Sequence, residues 1–313
     1  MRSSLFFRLF PPPKFLNVPY AGLDISDDAI HFLEYSQTSK GLTISRYDVQ
    51  ELPPNMVAGG DIIDKEGLTT LLADFARKNK ISRVKVSLPE EKSYMFQLDV
   101  PSYDIAETCQ HIEFRLEENV PLSPKDVEFY FNFIRSKNGS PRVSVLVSPH
   151  SFIETRISVL HSVGLMPVAF EVVPKAVARA VAPKSEEIDI IVYAMKHATG
   201  LYIVSDGVIL FSSTVSRNEG FIPQDLLKEV DRVHNYWTTR PDMSADVSRI
   251  VVVGYDAQNI ADSLHNAPGM QLTVEVADVW KNAFDVNFYV PPISKSDSLG
   301  YAVAAGLALP LII

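Results

Sequence analysis

The sequence predicts an α/β protein of two similar lobes, with a small α+β unit inserted into the first lobe. Three observations support this prediction. A run of three strands followed by a helix occurs near the start of the chain and again from residue 188, and repeated units of this length usually mark two pseudo-equivalent lobes. Between these runs the order changes to strand, helix, hairpin and helix. The 313 residues are also enough for two domains, each with its own core.

The first lobe is predicted over residues 20–88 and, after the insertion, over residues 167–186. The segments YAGLDIS, AIHFLEYS and LTISRYDVQEL are separated by turn-forming residues, which predicts a three-stranded meander. Asp64 can cap the next helix, in which Leu68 and Phe75 lie on one apolar face. The segment RVKVSLP then reads as a strand, so this order indicates a mixed sheet covered by helices.

The inserted unit, called the inserted module below, is predicted over residues 89–166. The strand YMFQLDV precedes a helix whose apolar residues repeat at helical spacing, namely Ile105, Cys109, Ile112 and Leu116. The segment DVEFYFNFIRSKNGSPRVSVLVS alternates like two strands of a hairpin. A second helix, SFIETRISVLHSVG, ends at Gly164, a residue type common at helix ends.

The second lobe is predicted over residues 187–313. The segments IDIIVYAMK, TGLYIVS and GVILFSSTVS predict another meander, with Asp206 and Gly207 as a hairpin turn. The helix QDLLKEVDRVHNYWTTR follows, then the strand RIVVVG, the helix AQNIADSLHN and the strand MQLTVEV. An apolar helix after Ser298 is expected to be buried.

Composition excludes several classes of function. The net charge is −9 and no large cluster of Lys and Arg occurs, so the chain lacks the basic face that binding to nucleic acid requires. Cys109 is the single cysteine, which excludes an internal disulfide and is typical of a reducing compartment. No apolar run reaches the length of a membrane span.

The segment 1–19 begins MRSSLFFRLFPPPKF and mixes aromatic and basic residues. Arg8 interrupts the apolar run that a secretory signal would need. Two interpretations remain: a disordered start that ends at the prolines, or a weak tether of residues 1–15 to an anionic membrane surface.

From Tyr20 onward, the order of segments resembles the PilM family of type IV pilus assembly proteins, which are similar to the cell-division actin homologue FtsA. The most specific part is SLPEEKSYMFQLDVPSYDIAETCQHIEFRLEENVPLSPKDVEFYFNF, which resembles the family's strand, acidic helix, VPL break and hairpin. GLMPVAFEVVPKAVARAV is similar to the family's return to the core, and LGYAVAAGLAL to its closing helix.

The resemblance implies an actin-like (ribonuclease H-like) ATPase fold of two lobes with an inserted SHS2-like subdomain. It also implies a cytoplasmic protein, peripheral at the inner face of the cytoplasmic membrane, that binds the short cytoplasmic N-terminus of a PilN-like inner-membrane protein. The cleft for that peptide is expected beside the inserted module. The side chains expected to contact the peptide, which fit the module's core equally well, are Phe114, Leu116, Val120 and Leu122.

Two turns of this fold would cradle a nucleotide's phosphates, and both depart from the family pattern. The first keeps Asp24, which could orient a magnesium-bound water, but has Ser26 in the place of a glycine. The second has Tyr193 and Met195 where related ATPases carry Asp-x-Gly.

The remaining candidate contacts to a nucleotide are Lys196 and His197, which could meet a phosphate, and Gly254, the one glycine left of a double-glycine turn. The altered turns predict a pseudo-ATPase without a bound cofactor, acting as an adaptor through protein contacts. One alternative is an actin-like ATPase that still binds ATP and Mg²⁺. Another is a filament protein anchored by the segment LFFRLF.

Overall fold

In this computed structural model, the described residues are 19–39, 41–134, 139–182, 185, 187–217, 223–239, 246–285 and 287–310. Apart from Pro19, the N-terminal segment in which a membrane tether is one interpretation lies outside them. Among the described residues, the helices are too short or too polar for any of them to cross a membrane.

The first lobe begins with the expected meander and continues with a short ribbon, a helix and a strand. Its elements are β1 (Ala21–Ile25), β2 (Ala29–Thr38), β3 (Gly41–Glu51), β4 (Val57–Ala58), β5 (Asp61–Ile62), α1 (Lys65–Lys78) and β6 (Arg83–Leu88). Asp64 caps α1, because its carboxylate accepts the backbone N–H of Gly67. A turn at Glu90–Lys92 then leads into the inserted module.

The inserted module has a three-stranded antiparallel sheet in the order β7-β9-β8. Its elements are β7 (Tyr94–Asp99), α2 (Ile105–Asn119), β8 (Val127–Ile134) and β9 (Arg142–Pro149). The apolar face of α2 packs on this sheet, where Ile112 and Leu116 share a core with Val143, Val145 and Val147.

The chain returns to the first lobe through α3 (His150–Ser162), β10 (Met166–Val172) and α4 (Val173–Val181). The sequence grouped α3 with the inserted module. In the structure, Val159 and Leu160 of this helix lie instead in the core of the first lobe with Leu68 and Leu72. The reason is that α3 leads directly into β10, which pairs in parallel with β6.

The second lobe repeats the plan of the first. Its elements are β11 (Ile188–Ala194), β12 (Ala198–Ser205), β13 (Val208–Ser216), α5 (Pro223–Thr238), β14 (Val247–Gly254), α6 (Ala257–His265), β15 (Thr273–Val276), α7 (Lys295–Ser298) and α8 (Ala302–Ala308). The two large sheets have the orders β3-β2-β1-β6-β10 and β13-β12-β11-β14-β15. In each, an antiparallel meander is extended by two parallel strands, which confirms the two-lobed fold.

The closing helix α8 is buried, as expected, and packs against both β1 and α4. Two glycines allow this approach. A Cβ on Gly22 of β1 would overlap the backbone of Ala304, and a Cβ on Gly306 would overlap the carbonyl of Ala176. The helix therefore holds the elements around it at a spacing that larger residues would prevent.

Candidate functional site

A cleft of about 630 Å³ lies between the lobes, at the turns that end β1, β11 and β14. All five residues that the sequence proposed as nucleotide contacts line it: Asp24, Ser26, Lys196, His197 and Gly254. The fold brings them together because each lies near the C-terminal end of β1, β11 or β14 or in the turn that follows. The five candidate residues therefore lie in one site.

Asp24 lies at the base of the cleft with only 3% of its surface exposed. Burial raises the pKa of its carboxyl to about 6, against a lowering hydrogen bond from Ser87, and the charge of Asp28 raises it further. The Ser87 hydroxyl also accepts the backbone N–H of Ile25 at 3.2 Å. Asp24 is therefore held in place by its own lobe.

The first turn is stabilised by its own side chains. The Ser26 hydroxyl donates to the Asp28 carboxylate at 3.1 Å and accepts the backbone N–H of Ala29 at 3.1 Å. The carboxylate of Asp27 accepts the backbone N–H groups of Gly59 and Gly60 at 2.8 and 3.1 Å. The polar groups of the turn are therefore hydrogen-bonded within the first lobe. Asp27 and Asp28 also add two acidic side chains to the cleft wall.

The second turn brings a large buried side chain to the cleft. Tyr193 is 8% exposed and its ring lies where a compact residue would leave space for a ligand. Met195 beside it is half-buried, whereas Lys196 and His197 at the tip are exposed. The cationic groups therefore lie at the rim of the cleft rather than at its base.

Gly254 has a structural reason to be glycine. Its φ is +99°, and a Cβ at this position would overlap the carbonyl oxygen of Ala194 on the neighbouring strand. The next residue, Tyr255, donates its backbone N–H to that same carbonyl at 2.7 Å. Glycine at this position thus lets the end of β14 pair closely with β11, and this role needs no ligand.

Among the cleft residues that the sequence analysis missed are two adjacent acids, Glu90 and Glu91. Glu90 accepts hydrogen bonds from three hydroxyls of the second lobe: Tyr202 at 3.1 Å, Ser212 at 2.5 Å and Thr214. Burial raises the pKa of Glu90 to about 7, although these hydrogen bonds lower it. The signal in the sequence is LPEEK, a pair of acids directly after a buried strand.

Acidic side chains dominate the charge of the cleft. Its lining includes seven carboxylates, from Asp24, Asp27, Asp28, Glu51, Glu90, Glu91 and Asp256. Against these stand one lysine, Lys196, and two histidines, His31 and His197. Burial lowers the pKa of His31, so this ring favours the neutral form. The local field therefore disfavours anions.

The four residues proposed for partner binding do not form one exposed surface. Phe114 is 80% exposed on α2, but Leu116 and Val120 are almost fully buried in the core of the inserted module, against which Leu122 packs. The reason is that Leu116 lies on the face of α2 that covers the sheet. Of the four, Phe114 is exposed and Leu122 is partly exposed, whereas Leu116 and Val120 are not available to a partner in this arrangement.

No group of three or more His, Cys, Asp or Glu side chains within the described ranges is arranged to hold a metal ion. The carboxylates of the cleft are instead spread along its walls.

Comparisons with known proteins agree with this architecture. A family model described as type IV pilus assembly protein PilM matches residues 22–210. A search of curated proteins found no match.

Three solved structures are similar to the chain over most of its length. For a PilM-PilN type IV pilus biogenesis complex, the TM-score is 0.76 at 15% identity, covering 93% of this chain and 98% of that one. For the cytoplasmic domain of EpsL, an inner-membrane component of the type II secretion system of Vibrio cholerae, the TM-score is 0.52 at 11% identity, covering 91% and 94%. For the ethanolamine utilization protein EutJ of Carboxydothermus hydrogenoformans, it is 0.51 at 12% identity, covering 95% and 91%. These likenesses show the actin-like fold.

Proposed function

The chain belongs to the type IV pilus assembly protein PilM family, and we propose that it acts as a cytoplasmic adaptor that binds a PilN-like partner and does not hydrolyse ATP. The match to the family covers the first lobe, the inserted module and the start of the second lobe. The observation that carries the proposal is the acidic inter-lobe cleft with Tyr193 buried at its base.

A polyphosphate in this cleft would meet repulsion at several points. Each pair of like charges about 4 Å apart costs about 1 kcal/mol in water and several times more when partly buried. The neighbouring acids Asp27, Asp28 and Glu91 line the wall that a phosphate chain would face. A single magnesium ion offsets only part of this repulsion. We therefore infer that the chain functions by binding other proteins rather than by hydrolysing a nucleotide.

A second, smaller cavity offers a place for a partner peptide. It has a volume of about 270 Å³ and lies where the inserted module, the start of α4 and strand β13 meet. Its apolar lining comes from the inserted module, the end of β10 and the start of α4, namely Met95, Leu146, Val172 and Pro174. Polar side chains complete it, namely Glu90, Glu91, Ser93, Ser212, Ser213 and Thr214. Such a pocket suits one apolar anchor of an extended peptide, with the exposed surface around it available for the rest.

The solved complex of PilM with PilN gives the chemistry of the partner to test. A synthetic peptide with the N-terminal cytoplasmic sequence of a PilN-type protein encoded beside this chain would be titrated by fluorescence anisotropy. We expect saturable binding that the variant Met95→Asp weakens at least tenfold, because a carboxylate would replace an apolar contact in the cavity. The matched control is Ile63→Asp, since Ile63 is 61% exposed and lies in the first lobe. Equal binding by both variants would place the peptide elsewhere.

An alternative function, an ATPase that still uses Mg-ATP, is favoured by the size of the inter-lobe cleft and by the retained Asp24. A thermal-shift titration with Mg-ATP separates it from the adaptor, because a ligand that binds only the folded state raises the melting temperature. We expect no rise with millimolar Mg-ATP. A concentration-dependent rise would favour the ATPase. Peripheral attachment to the membrane through residues 1–15 is a further proposal, which co-sedimentation with anionic vesicles tests.

A further inference from the structure

Glu90 lies between the two cavities described above. It lines the inter-lobe cleft and also the cavity of about 270 Å³, called the small cavity below. The turn Glu90–Lys92 connects β6 of the first lobe to β7 of the inserted module. Glu90 is therefore part of the site proposed for the partner peptide, at the point where the lobes and the module meet.

Three hydroxyls of the second lobe donate hydrogen bonds to the Glu90 carboxylate. Two of them belong to Ser212 and Thr214 of β13, which themselves line the small cavity. The third belongs to Tyr202 of β12 and lies 3.1 Å away. One carboxylate thus holds two side chains of the cavity wall, and without it their hydroxyls would lose this acceptor.

The preceding residues of β13 are held by the inserted module. The side-chain amide of Gln97 donates to the carbonyl of Leu210, and the hydroxyl of Ser144 donates to the carbonyl of Ile209. The module therefore fixes β13 just before the cavity, whereas Glu90 fixes the residues that line it. The position of this wall depends on the Glu90 carboxylate as well as on the module.

An occupant of the small cavity would change the surroundings of Glu90. Burial raises the pKa of Glu90 to about 7, although the hydrogen bonds of Ser212 and Thr214 lower it. Part of the surface of Glu90 remains exposed. An apolar side chain in the cavity would remove water from that surface, which disfavours the charged carboxylate and raises its pKa further. Binding of the peptide would then be accompanied by uptake of a proton near neutral pH.

Glu90 and Glu91 are the groups at this junction that can change charge near neutral pH. The charge of Glu91 raises the pKa of Glu90, and Lys92 in turn lowers the pKa of Glu91. Tyr193 of β11 and Tyr202 of β12 also face Glu90, but burial raises the pKa of both hydroxyls well above the ordinary value. The contacts from β13 are the serine and threonine hydroxyls named above, which do not titrate. Variants of the two acids separate their contributions.

We propose that Glu90 is a positioning residue of the small cavity, which holds β13 in place for the partner peptide and takes up a proton when the peptide binds. The inference rests on the proposed function, in which the peptide occupies this cavity. Because binding takes up a proton, the affinity for the peptide is higher at low pH and falls as the pH rises through the titration of Glu90.

The PilN-type peptide would be titrated by fluorescence anisotropy at about pH 6 and about pH 8. The proteins compared are the wild type, Glu90→Gln, Glu90→Ala and Glu91→Gln. The matched control is Glu66→Gln, which changes an exposed acid on α1 outside both cavities. Every protein receives the same peptide, so the titration of the peptide itself cancels in the comparison. Melting temperatures at each pH confirm that the variants are folded.

We expect the wild type to bind about threefold or more tightly at the lower pH, as the reciprocal effect of peptide and proton predicts. Glu90→Gln is neutral and keeps an acceptor for the hydroxyls, so it should bind as the wild type does at low pH, at both pH values. Glu90→Ala should bind about tenfold more weakly at both, because it removes the acceptor that orders the wall. Glu91→Gln and Glu66→Gln should retain the pH dependence of the wild type.

Absence of binding by the wild type at both pH values contradicts the proposed function and this inference with it. Binding that is equally pH-dependent in the wild type and in Glu90→Gln overturns this inference alone. A pH dependence that Glu91→Gln abolishes and Glu90→Gln retains also overturns it, because the proton would then be taken up by the neighbouring acid.

Discussion

The hydroxyl of Tyr202 donates a hydrogen bond to the carboxylate of Glu90 across 3.1 Å, and this contact joins separate parts of the molecule. Glu90 lies in the turn between the first lobe and the inserted module, whereas Tyr202 lies on β12 of the second lobe. Ser212 of β13 donates to the same carboxylate at 2.5 Å. One carboxylate therefore connects three structural units, and its protonation bears on how firmly they are held.

The first prediction concerns the pH dependence of stability. Burial raises the pKa of Glu90 to about 7 in the folded protein, above its ordinary value of 4.5. Between these values the folded state binds more protons than the unfolded state, so the stability contributed by Glu90 is full at low pH and is lost as the pH rises toward 7. We expect the free energy of unfolding to fall by on the order of 2 kcal/mol between about pH 5 and about pH 8 from this group.

Urea denaturation across this range would measure the effect in the wild type and in Glu90→Gln. The variant cannot titrate at this position and should have a shallower slope. Asp24, whose pKa is raised to about 6, contributes a smaller slope of the same sign that the variant retains. Identical slopes in the two proteins would contradict the prediction.

The second prediction concerns a buried ion-pair network. Glu171 of β10 meets Lys85 of β6 at 2.6 Å and also pairs with Arg179 of α4. Burial alone would raise the pKa of Glu171, but the hydrogen bonds and charge of Arg179, with the charge of Lys85, hold it at about 2. Glu171→Gln would leave three cations, Lys85, Lys175 and Arg179, without this counter-ion, so we expect it to lower the free energy of unfolding by about 3–5 kcal/mol.

Chemical denaturation measures this change, with the exposed pair of Arg77 and Asp74 as the reference. Asp74→Asn should cost less than about 1 kcal/mol because solvent screens a surface pair. Similar costs for the two variants would show that the buried network does not stabilise the first lobe.

The third prediction concerns the close packing of α8. Gly306→Ala should lower the free energy of unfolding by about 2 kcal/mol or more, because the added methyl group would overlap the carbonyl of Ala176 and push two helices apart. Gly300→Ala is the matched control nearby in the chain, since the added Cβ would lie 3.5 Å from Nε2 of His31, an ordinary contact. Thermal melts of both variants test the difference, and a comparable loss in each would refute the packing argument.

The fourth prediction separates surface from core on α2. Leu116→Ala should destabilise the protein by about 2–5 kcal/mol, because it removes a side chain that is 1% exposed from the core of the inserted module. Phe114→Ser should change stability by less than about 0.5 kcal/mol, because Phe114 is 80% exposed. Denaturant melts measure both, and the PilN-type peptide titration on Phe114→Ser would show whether this side chain contributes to binding. A large loss of stability in Phe114→Ser would mean that its surroundings are misjudged.

The sequence predicted most of the architecture because its patterns are local. Alternating apolar residues defined the two meanders, and Asp64 marked the start of α1 through contacts within four residues. The five candidate residues of the cleft could be named together because they lie at strand ends or in the turns after them, where the family resemblance placed the phosphate-binding turns.

Contacts between residues far apart in the chain could not be predicted from the sequence. The donors to Glu90 lie 112 to 124 residues away, so the pair of acids in LPEEK had no visible partner. Helical spacing located α3 but could not say which sheet it covers, and it could not tell whether Leu116 faces a partner or a core. Each of these depends on the packing of one unit against another.

The inserted module also donates side-chain hydrogen bonds to strand β13, which lies at the border of the second large sheet. The side-chain amide of Gln97 donates to the carbonyl of Leu210 at 2.7 Å, and the hydroxyl of Ser144 donates to the carbonyl of Ile209 at 3.1 Å. An exposed edge strand can pair with a strand of another molecule, and such pairing leads to aggregation. Because the module occupies these carbonyls, it protects this edge strand from pairing with other copies of the chain. A truncated form without the module is therefore expected to aggregate.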